Sequence, residues 1–285
     1  TVLNMKPFDA NTEIEGSEPN DEYIDNTPQN MSPLFDDAEP LEEKETDESA
    51  AAIKHYIKWA DQYKKACKLI YGKDAKLNDF KKAEQLLLSE SQCGNVLAVY
   101  DLGKLYSTDK LGEKSEEISI AKYTQALQGF LQIEPNSKKL KPYVQYRIGK
   151  MFCYGLGTEQ NYQKAFEWFE RSAKQKNKFA QFSLANLYYY GSGIEKDLSQ
   201  AFLWYQRSSS QGQPYAAYSI AQMYRYGEYV TKDNDTAQRY YKQALSGFLK
   251  IESDDMANDD LFYKLGQMFN LGLGTDSDDT KAIKY

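Results

Sequence analysis

A segment of this chain recurs every 36 residues, and this internal repeat restricts the possible fold more than any other feature. The stretches 146–157, 182–193 and 218–229 align as YRIGKMFCYGLG, FSLANLYYYGSG and YSIAQMYRYGEY, and each begins 36 residues after the one before. Two further copies begin at Tyr100, 46 residues earlier, and at Tyr263, 45 residues later. A degenerate first copy surrounds Asp79 and Ala83. Repetition at this period predicts a stack of about six repeats.

The pattern inside each copy indicates a hairpin of two helices. In the central copy, the small Ala185 allows two helices to approach closely, and the ring three residues later, Tyr188, is expected to fill the layer between repeats. Gly191 and Gly193 predict the end of the first helix, because glycine adopts positive φ with little strain. Asp197 is then expected to cap the second helix.

Two of the units differ from their neighbours. Tyr229 stands where the other copies have the second turn glycine, so the turn of the fifth unit is expected to differ. The sequence ALQGFLQIE at 126–134 returns as ALSGFLKIE at 244–252, which predicts extended second helices in the two long units. The predicted fold class is all-α: a right-handed α-solenoid of about six two-helix repeats, preceded by a disordered acidic segment.

Charge divides the chain into two predicted regions. Residues 1–48 contain 15 acidic and 2 basic residues with five prolines and no apolar period, so they cannot bury enough surface to offset their chain entropy. We predict a disordered acidic linker over 1–48 and a helical repeat domain over 49–285. Helical periodicity near Glu48 places Tyr56, Tyr63 and Cys67 on one face, and Tyr285 falls inside a predicted second helix, so the repeat domain is expected to be truncated at its C-terminus.

At these positions the chain resembles the Sel-one-like repeats, which are relatives of the tetratricopeptide repeats. The match covers about residues 66–285 and is most complete at 143–177 and 178–212. The resemblance implies an α-solenoid that binds other proteins and carries out no catalysis itself. The matching residues of the central copy are Ala180, Leu184, Ala185, Tyr188, Gly191, Gly193, Asp197, Ala201, Trp204 and Tyr205.

A second resemblance concerns the order of the units. Trp59 in a leading helix, the Tyr71-Gly72 pair and the long repeats are similar to the C-terminal region of mobilisation relaxases of the MobL type, from conjugative elements of Gram-positive bacteria. This resemblance implies that a DNA-nicking domain lies upstream of Thr1, so relaxase activity is not expected of the present chain.

Histidine, which most general acid–base, triad and metal sites use, occurs only once in this sequence. The only histidine, His55, is expected to lie solvated in a Lys-rich helix, and the three cysteines have no paired base. The Gly-x-Gly turns follow no strand and recur with the repeat, so they are not phosphate loops. The acidic run at 276–279 lacks the spacing of a calcium loop and is expected to begin a helix. We therefore predict no catalytic residue, no metal site and no cofactor.

The first helix of each repeat is expected to line the concave surface, which makes its polar and aromatic positions the candidate groove. An aromatic column beside a polar column could grip an extended peptide, although inter-repeat packing also requires aromatic rings. Both interpretations stay open at this stage. The candidate residues are Tyr100, Lys104, Tyr146, Lys150, Phe182, Asn186, Tyr189, Tyr218, Gln222, Arg225, Tyr263 and Gln267.

Two functions fit these features. The favoured one is a protein-interaction scaffold, a module of a larger protein that binds a protein or an extended peptide. The relaxase resemblance implies that this larger protein is a conjugative mobilisation protein. The alternative is an auxiliary nucleic-acid-binding surface, which the mildly basic repeat domain would support. The three dispersed cysteines and the lack of a long apolar run predict a reducing, cytoplasmic location without a membrane span. An incomplete last repeat would also allow end-to-end self-association.

Overall fold

The computed structural model describes residues 55–72, 75–253 and 259–285, and over these ranges the protein is built from paired helices. The predicted acidic linker over 1–48 and the start of the repeat domain at 49 lie outside the described residues. Two short 3-10 helices, Glu134–Asn136 and Lys138–Leu140, join the fourth and fifth α-helices. The α-helices are α1 (Asp61–Tyr71), α2 (Leu77–Gln92), α3 (Val96–Tyr106), α4 (Glu116–Ile133), α5 (Lys141–Tyr154), α6 (Tyr162–Lys174), α7 (Lys178–Tyr190), α8 (Leu198–Ser210), α9 (Pro214–Tyr226), α10 (Asn234–Ser253), α11 (Asp259–Asn270) and α12 (Asp279–Lys284).

Successive helices pack as six hairpins, from α1–α2 to α11–α12, and the second helix of each hairpin also packs against the first helix of the next. This arrangement is the all-α solenoid of two-helix repeats that the sequence predicts. The degenerate first copy is hairpin α1–α2, in which Ala83 is fully buried. The extended second helices are present as well, since α4 has 18 residues and α10 has 20, against 13 in α6 and in α8.

The start of the helical region differs from the prediction. Residues 56–60 are not helical, so Trp59 does not lie in a leading helix, and α1 begins at Asp61. The backbone of Tyr56 instead accepts a hydrogen bond from Val96 N and donates one to Gly94 O, at 3.0 and 3.1 Å. These bonds hold the segment extended against the α2–α3 connection. His55 precedes it outside any helix, and its Nδ1 atom is buried rather than solvated.

Small residues allow the helices of each hairpin to approach closely. A Cβ atom added at Gly149 would lie 2.6 Å from a ring carbon of Phe169 on α6, and one added at Gly103 would lie 2.8 Å from the Tyr123 ring on α4. The ring three residues later packs between repeats, as Tyr188 does against Phe166 of the preceding hairpin, with ring centroids 5.5 Å apart. Both predictions about these positions are confirmed.

The turn of the fifth unit keeps the geometry of its neighbours, so the expectation that it differs is wrong. Tyr229 adopts φ +64°, in the same left-handed region as Gly157 at +67° and Gly193 at +71°. The connection between the two helices of the hairpin therefore requires this conformation, and Tyr229 adopts it despite the strain that a Cβ atom causes there. The helix that follows is preceded by a cap, because Asp233 accepts a hydrogen bond from Thr236 N at 3.0 Å.

Aspartates cap the second helices α8 and α12 in the same way. Asp197 accepts hydrogen bonds from the Ser199 and Gln200 amides at 2.9 and 3.0 Å, and Asp278 accepts one from Lys281 N at 3.0 Å. The acidic run at 276–279 thus begins a helix, as predicted. Within the part of the chain that the structure describes, no helix combines the length and apolar character needed to cross a bilayer.

Candidate partner-binding surface

The aromatic column of the predicted groove belongs mainly to the core. Tyr146 packs against Phe169 of its own hairpin and Phe179 of the next, with ring centroids 6.0 and 5.8 Å apart. Four of the five rings are buried in this way and offer packing rather than accessible area, which corrects the groove interpretation for them. Tyr263, in the last hairpin, is 56% exposed. The four buried rings are Tyr100, Tyr146, Phe182 and Tyr218.

The amides of the predicted polar column form hydrogen bonds within the protein. Asn186 Oδ1 accepts a hydrogen bond from the Tyr205 hydroxyl at 2.6 Å, and Gln222 Oε1 accepts one from the Tyr241 hydroxyl at 2.8 Å. Gln267 donates to the hydroxyl of Tyr263 at 2.8 Å. Asn186 and Gln222 thus fix the first helix to rings of the second helix of the hairpin and are not presented to a peptide backbone. The bond of Gln267 lies within α11 itself.

The two lysines of the polar column, Lys104 and Lys150, border a buried cluster of charges that joins the first three hairpins. The Asp101 carboxylate on α3 accepts a hydrogen bond from the Tyr63 hydroxyl on α1 at 2.6 Å. Burial raises the pKa of Asp101, and the nearby Arg147 guanidinium on α5 opposes this shift. Burial also lowers the pKa of Lys104 to about 8. The cluster therefore holds more cations than carboxylates.

A set of three tyrosines lies at the ends of the first helices, and two of the three are exposed. Tyr154, Tyr190 and Tyr226 are the last residues of α5, α7 and α9, one repeat apart, and we call them the tyrosine ridge. Each immediately precedes a glycine with φ between 67° and 75°, which ends the helix at that residue. Tyr190 is 40% exposed and Tyr226 is 44% exposed, while Tyr154 is half-buried. The same residue type is thus presented by three successive repeats.

Cations and a second tyrosine flank this ridge. Lys150 Nζ lies 5.8 Å from the ring centroid of Tyr154, and the Arg225 guanidinium lies 5.3 Å from that of Tyr226. The rings of Tyr189 and Tyr190 meet edge to face at 4.9 Å. The ridge is therefore surrounded by aromatic rings, with a partly exposed cation at Arg225 and a buried one at Lys150. Lys150, Tyr189 and Arg225 are among the predicted site residues.

A hydrogen bond between repeats orders this region. The Tyr189 hydroxyl donates to Glu228 Oε2 of the next hairpin at 2.5 Å. Burial is the largest cause of the raised pKa of Tyr189, and the bond to Glu228 adds to it. Because Tyr189 is held in this way, the adjacent ring of Tyr190 projects from a rigid base rather than from a loose helix end.

The described residues offer few groups for metal binding or nucleophilic chemistry. No group of three or more His, Cys, Asp or Glu side chains within 55–72, 75–253 and 259–285 is arranged to hold a metal ion. Cys67 and Cys153 are buried and Cys93 is exposed. Burial raises the pKa of the Cys153 thiol to about 12, so it stays protonated at neutral pH.

Comparison with known families places four of these hairpins in one group. A family model described as Sel1 repeat matches residues 142–177, 178–213, 214–247 and 263–285. The chain contains four Sel1 repeats. They correspond to hairpins α5–α6 to α11–α12. Sel1 repeats generally mediate protein–protein interactions and are typically non-catalytic.

Several solved structures resemble this chain at low sequence identity. A Sel1 repeat protein from Oxalobacter formigenes is 24% identical over 59% of this chain and 65% of that chain, with a TM-score of 0.44. The protein c5321, a protective antigen of uropathogenic Escherichia coli with an SLR fold, is 22% identical over 78% of this chain and 51% of that chain, with a TM-score of 0.42. PA5086 of Pseudomonas aeruginosa is 19% identical over 82% of this chain and 80% of that chain, with a TM-score of 0.49. This chain spans less than two thirds of the first two proteins. No match was found among curated proteins.

The tyrosine ridge is the part of this Sel1 repeat surface that the sequence prediction missed. The signal is a Tyr-Gly pair that recurs at 154, 190 and 226, four positions after the polar column of Lys150, Asn186 and Gln222. The glycine of this pair indicates a turn, and the side chain before it lies at the exposed end of the helix in two of the three repeats. The ridge, Tyr189 and Arg225 together form the candidate partner-binding surface, whereas Lys150 is buried beside Tyr154.

Proposed function

We propose that this chain is a non-catalytic scaffold that binds an extended segment of another protein along the tyrosine ridge. The observation that carries the proposal is the presence of a tyrosine at the same helix end in three successive repeats, two of them at least 40% exposed. Tyrosine supplies large contact area with little loss of side-chain entropy, and such rings dominate the binding energy of many interfaces. A regular series of rings suits a partner that is extended rather than globular.

The charges beside the ridge indicate which segments would bind best. Arg225 lies at Tyr226 and is partly exposed, so this end of the ridge carries an accessible cation, whereas Lys150 beside Tyr154 is only 3% exposed. An acidic residue close to an aromatic or aliphatic residue in the partner would satisfy both features. We therefore propose that the preferred partner is a protein segment with apolar residues followed by carboxylates.

An array of short synthetic peptides tests this function. We expect the full chain to bind peptides that combine an aromatic residue with acids, and we expect Tyr190→Ser and Tyr226→Ser each to weaken the strongest of them about tenfold. Tyr263→Ser is the matched control, because Tyr263 is also exposed on a first helix but lies outside the ridge. Equal losses in all three variants, or no binding by any peptide, would contradict the proposal.

The alternative, a nucleic-acid surface of a conjugative mobilisation protein, stays a prediction that rests on the relaxase resemblance. The same binding assay tests this alternative, with a single-stranded oligonucleotide as the probe. Phosphate binding would weaken steeply with salt, whereas peptide binding to the ridge would change little. Tight, steeply salt-dependent binding of the oligonucleotide together with no peptide binding would replace the scaffold proposal with the nucleic-acid one.

Self-association through the last hairpin also stays a prediction. Its second helix, α12, has six residues, and Ile283 on this helix is 88% exposed. Such a face could pair with a second copy or with other protein. Light scattering of the wild type and of Ile283→Glu tests this: a mass that rises with concentration only in the wild type would support pairing.

A further inference from the structure

We infer that the corner between α6 and α7, residues 176–178, is a second peptide-binding site, which takes an extended segment with an acidic residue followed by an aromatic one. The protein already holds an extended segment, its own residues 56–60, at the matching corner between α2 and α3. The inference goes beyond the proposed function, because the two sites lie at opposite ends of α7. This helix has 13 residues, so about 20 Å separate the corner from the tyrosine ridge.

The α2–α3 corner shows how an extended segment is held. Tyr56 N donates a hydrogen bond to Gly94 O at 3.1 Å, and Val96 N donates one to Tyr56 O at 3.0 Å. The side-chain amide of Asn95 donates a third, to Lys58 O at 2.8 Å. The corner thus binds the segment through one backbone acceptor, one backbone donor and one side-chain donor.

The α6–α7 corner has the same backbone conformation. Asn95 and Asn177 precede α3 and α7 with φ and ψ of −70° and 106° in the first and −66° and 114° in the second. The residues before them, Gly94 and Lys176, both have positive φ, at 97° and 68°. Each asparagine N also donates to the carbonyl five residues earlier, at 3.1 and 3.3 Å. The three groups that hold the segment therefore have counterparts in Lys176 O, Lys178 N and Asn177 Nδ2.

These three groups are available at the α6–α7 corner. Among the described residues, none accepts a hydrogen bond from Lys178 N or Asn177 Nδ2, and none donates one to Lys176 O. Lys176 is exposed and the next two residues are partly exposed, whereas residues 94–96 are buried. The second corner therefore has the binding groups of the first without its segment.

The corner between α8 and α9 cannot bind a segment in this way. Gly212 and Gln213 have a similar backbone, with φ of 79° and −79°. Pro214 follows them as the first residue of α9, and proline has no N–H group to donate. Of these three corners, only the one between α6 and α7 has the donor without a bound segment.

A tyrosine ring is in place for the aromatic residue of the segment. Three residues after Tyr56, Trp59 packs against Tyr143 near the start of α5, with ring centroids 5.4 Å apart. Tyr215, near the start of α9, lies 72 residues after Tyr143, which is two periods of 36. Each tyrosine belongs to the first helix that follows its corner by one repeat. The Tyr215 ring is partly exposed, while Tyr143 is buried.

The charge of the corner indicates which residue should precede the aromatic one. Where the first corner has Gly94 and Val96, the second has Lys176 and Lys178. The bound segment carries Lys58 at the position whose carbonyl the asparagine binds. An acidic residue at that position would be attracted to the second corner. Counted from the residue that forms both backbone bonds, the preferred segment is therefore acidic at its third residue and aromatic at its fourth.

Short peptides added to the full chain test this site. The probe is His-Tyr-Ile-Glu-Trp-Ala, the sequence of residues 55–60 with Lys58→Glu. The matched control is the same peptide with a methyl group on the tyrosine nitrogen, which can no longer donate to Lys176 O. We expect the control to bind about tenfold more weakly than the probe. The peptide with the natural lysine should bind several-fold more weakly at low salt.

Two variants at one position of the protein assign the binding to this corner. Lys178→Pro removes the N–H donor and Lys178→Ala keeps it, while both remove the same ammonium group. Proline is favourable at the first position of a helix, and Pro214 shows that this fold accepts it there. We expect the probe to bind Lys178→Pro about tenfold more weakly than Lys178→Ala. In the wild type, the probe should slow hydrogen exchange of the Lys178 amide.

The same measurements separate this site from the ridge. Tyr190→Ser should leave binding of the probe unchanged, so loss of binding in Lys178→Pro alone would support the corner whether or not the ridge binds a partner. Binding that is lost in Tyr190→Ser and kept in Lys178→Pro would overturn the inference and support the ridge. Equal binding to Lys178→Pro and Lys178→Ala, an unprotected Lys178 amide, or no binding at millimolar probe would also overturn it.

Discussion

At the scale of single residues, Lys104 has the surroundings that most alter its chemistry. Its ammonium group donates a hydrogen bond to the Tyr71 hydroxyl at 3.2 Å and lies over the same ring, in a region shared with Asp101. Burial lowers the pKa of Lys104 from 10.5 to about 8, although Asp101 acts in the opposite direction. The folded protein therefore holds this proton less tightly than the unfolded chain does, although Lys104 is still mainly charged at pH 7.

This shift predicts a specific pH dependence of stability. Between pH 8 and 10.5 the unfolded chain keeps the Lys104 proton while the folded protein loses it, so the contribution of Lys104 to stability rises with pH in that window. Buried tyrosines act oppositely above pH 10, as Tyr106 does with its pKa raised to about 12. Urea unfolding of the wild type and of Lys104→Met, between pH 7.5 and 9.5, should show the wild type gaining relative to the variant. A difference in stability between wild type and variant that does not change with pH would contradict this account.

At the scale of the repeat element, the close approach of turn and helix should dominate the cost of substitution. Gly193 has φ +71°, and a Cβ atom there would lie 2.5 Å from Tyr162 Cβ on the preceding second helix. Gly212 has φ +79° but faces open space. We expect Gly212→Ala to lower the free energy of unfolding by about 1 kcal/mol and Gly193→Ala by clearly more, measured by urea denaturation. Equal losses in the free energy of unfolding would mean that the turn shifts to make room for the added methyl group, and would contradict this prediction.

The sequence predicts those elements that local interactions determine. The period, the caps at Asp197 and Asp278, and the closely packed Gly149 follow from spacing and residue type, so sequence alone identified them. The extended segment around Tyr56 could not be predicted, because its hydrogen bonds run to Gly94 and Val96, about 40 residues away.

The candidate surface was predicted only in part for a related reason. Helical spacing indicates which side chains share a face, but it does not say which face meets the next repeat. The rotation of each hairpin against its neighbour decides that Tyr146 and Tyr218 are buried while Tyr190 and Tyr226 are exposed. That rotation depends on how neighbouring repeats pack, so it cannot be derived from the sequence of a single repeat.

At the scale of the whole molecule, stacking should make the core of each repeat depend on its neighbours. Leu184, on the first helix of the fourth hairpin, is fully buried, and we expect Leu184→Ala to lower the free energy of unfolding by about 3 kcal/mol. Hydrogen exchange should show the loss spreading into α5 and α9. Leu203→Ala, at a 37% exposed position, is the control and should change stability by less than about 1 kcal/mol. A loss confined to α7 would argue against coupled repeats.

The central claim is that the tyrosine ridge is the surface that holds a partner, and ring resonances report on it directly. NMR spectra of the full chain with isotope-labelled tyrosines, assigned by single Tyr→Phe substitutions, can be recorded as the strongest array peptide is added. We predict that the resonances of Tyr190 and Tyr226 shift while those of the buried Tyr146 and Tyr218 stay in place. Saturating binding that moves Tyr263 and leaves Tyr190 and Tyr226 unchanged would contradict the account.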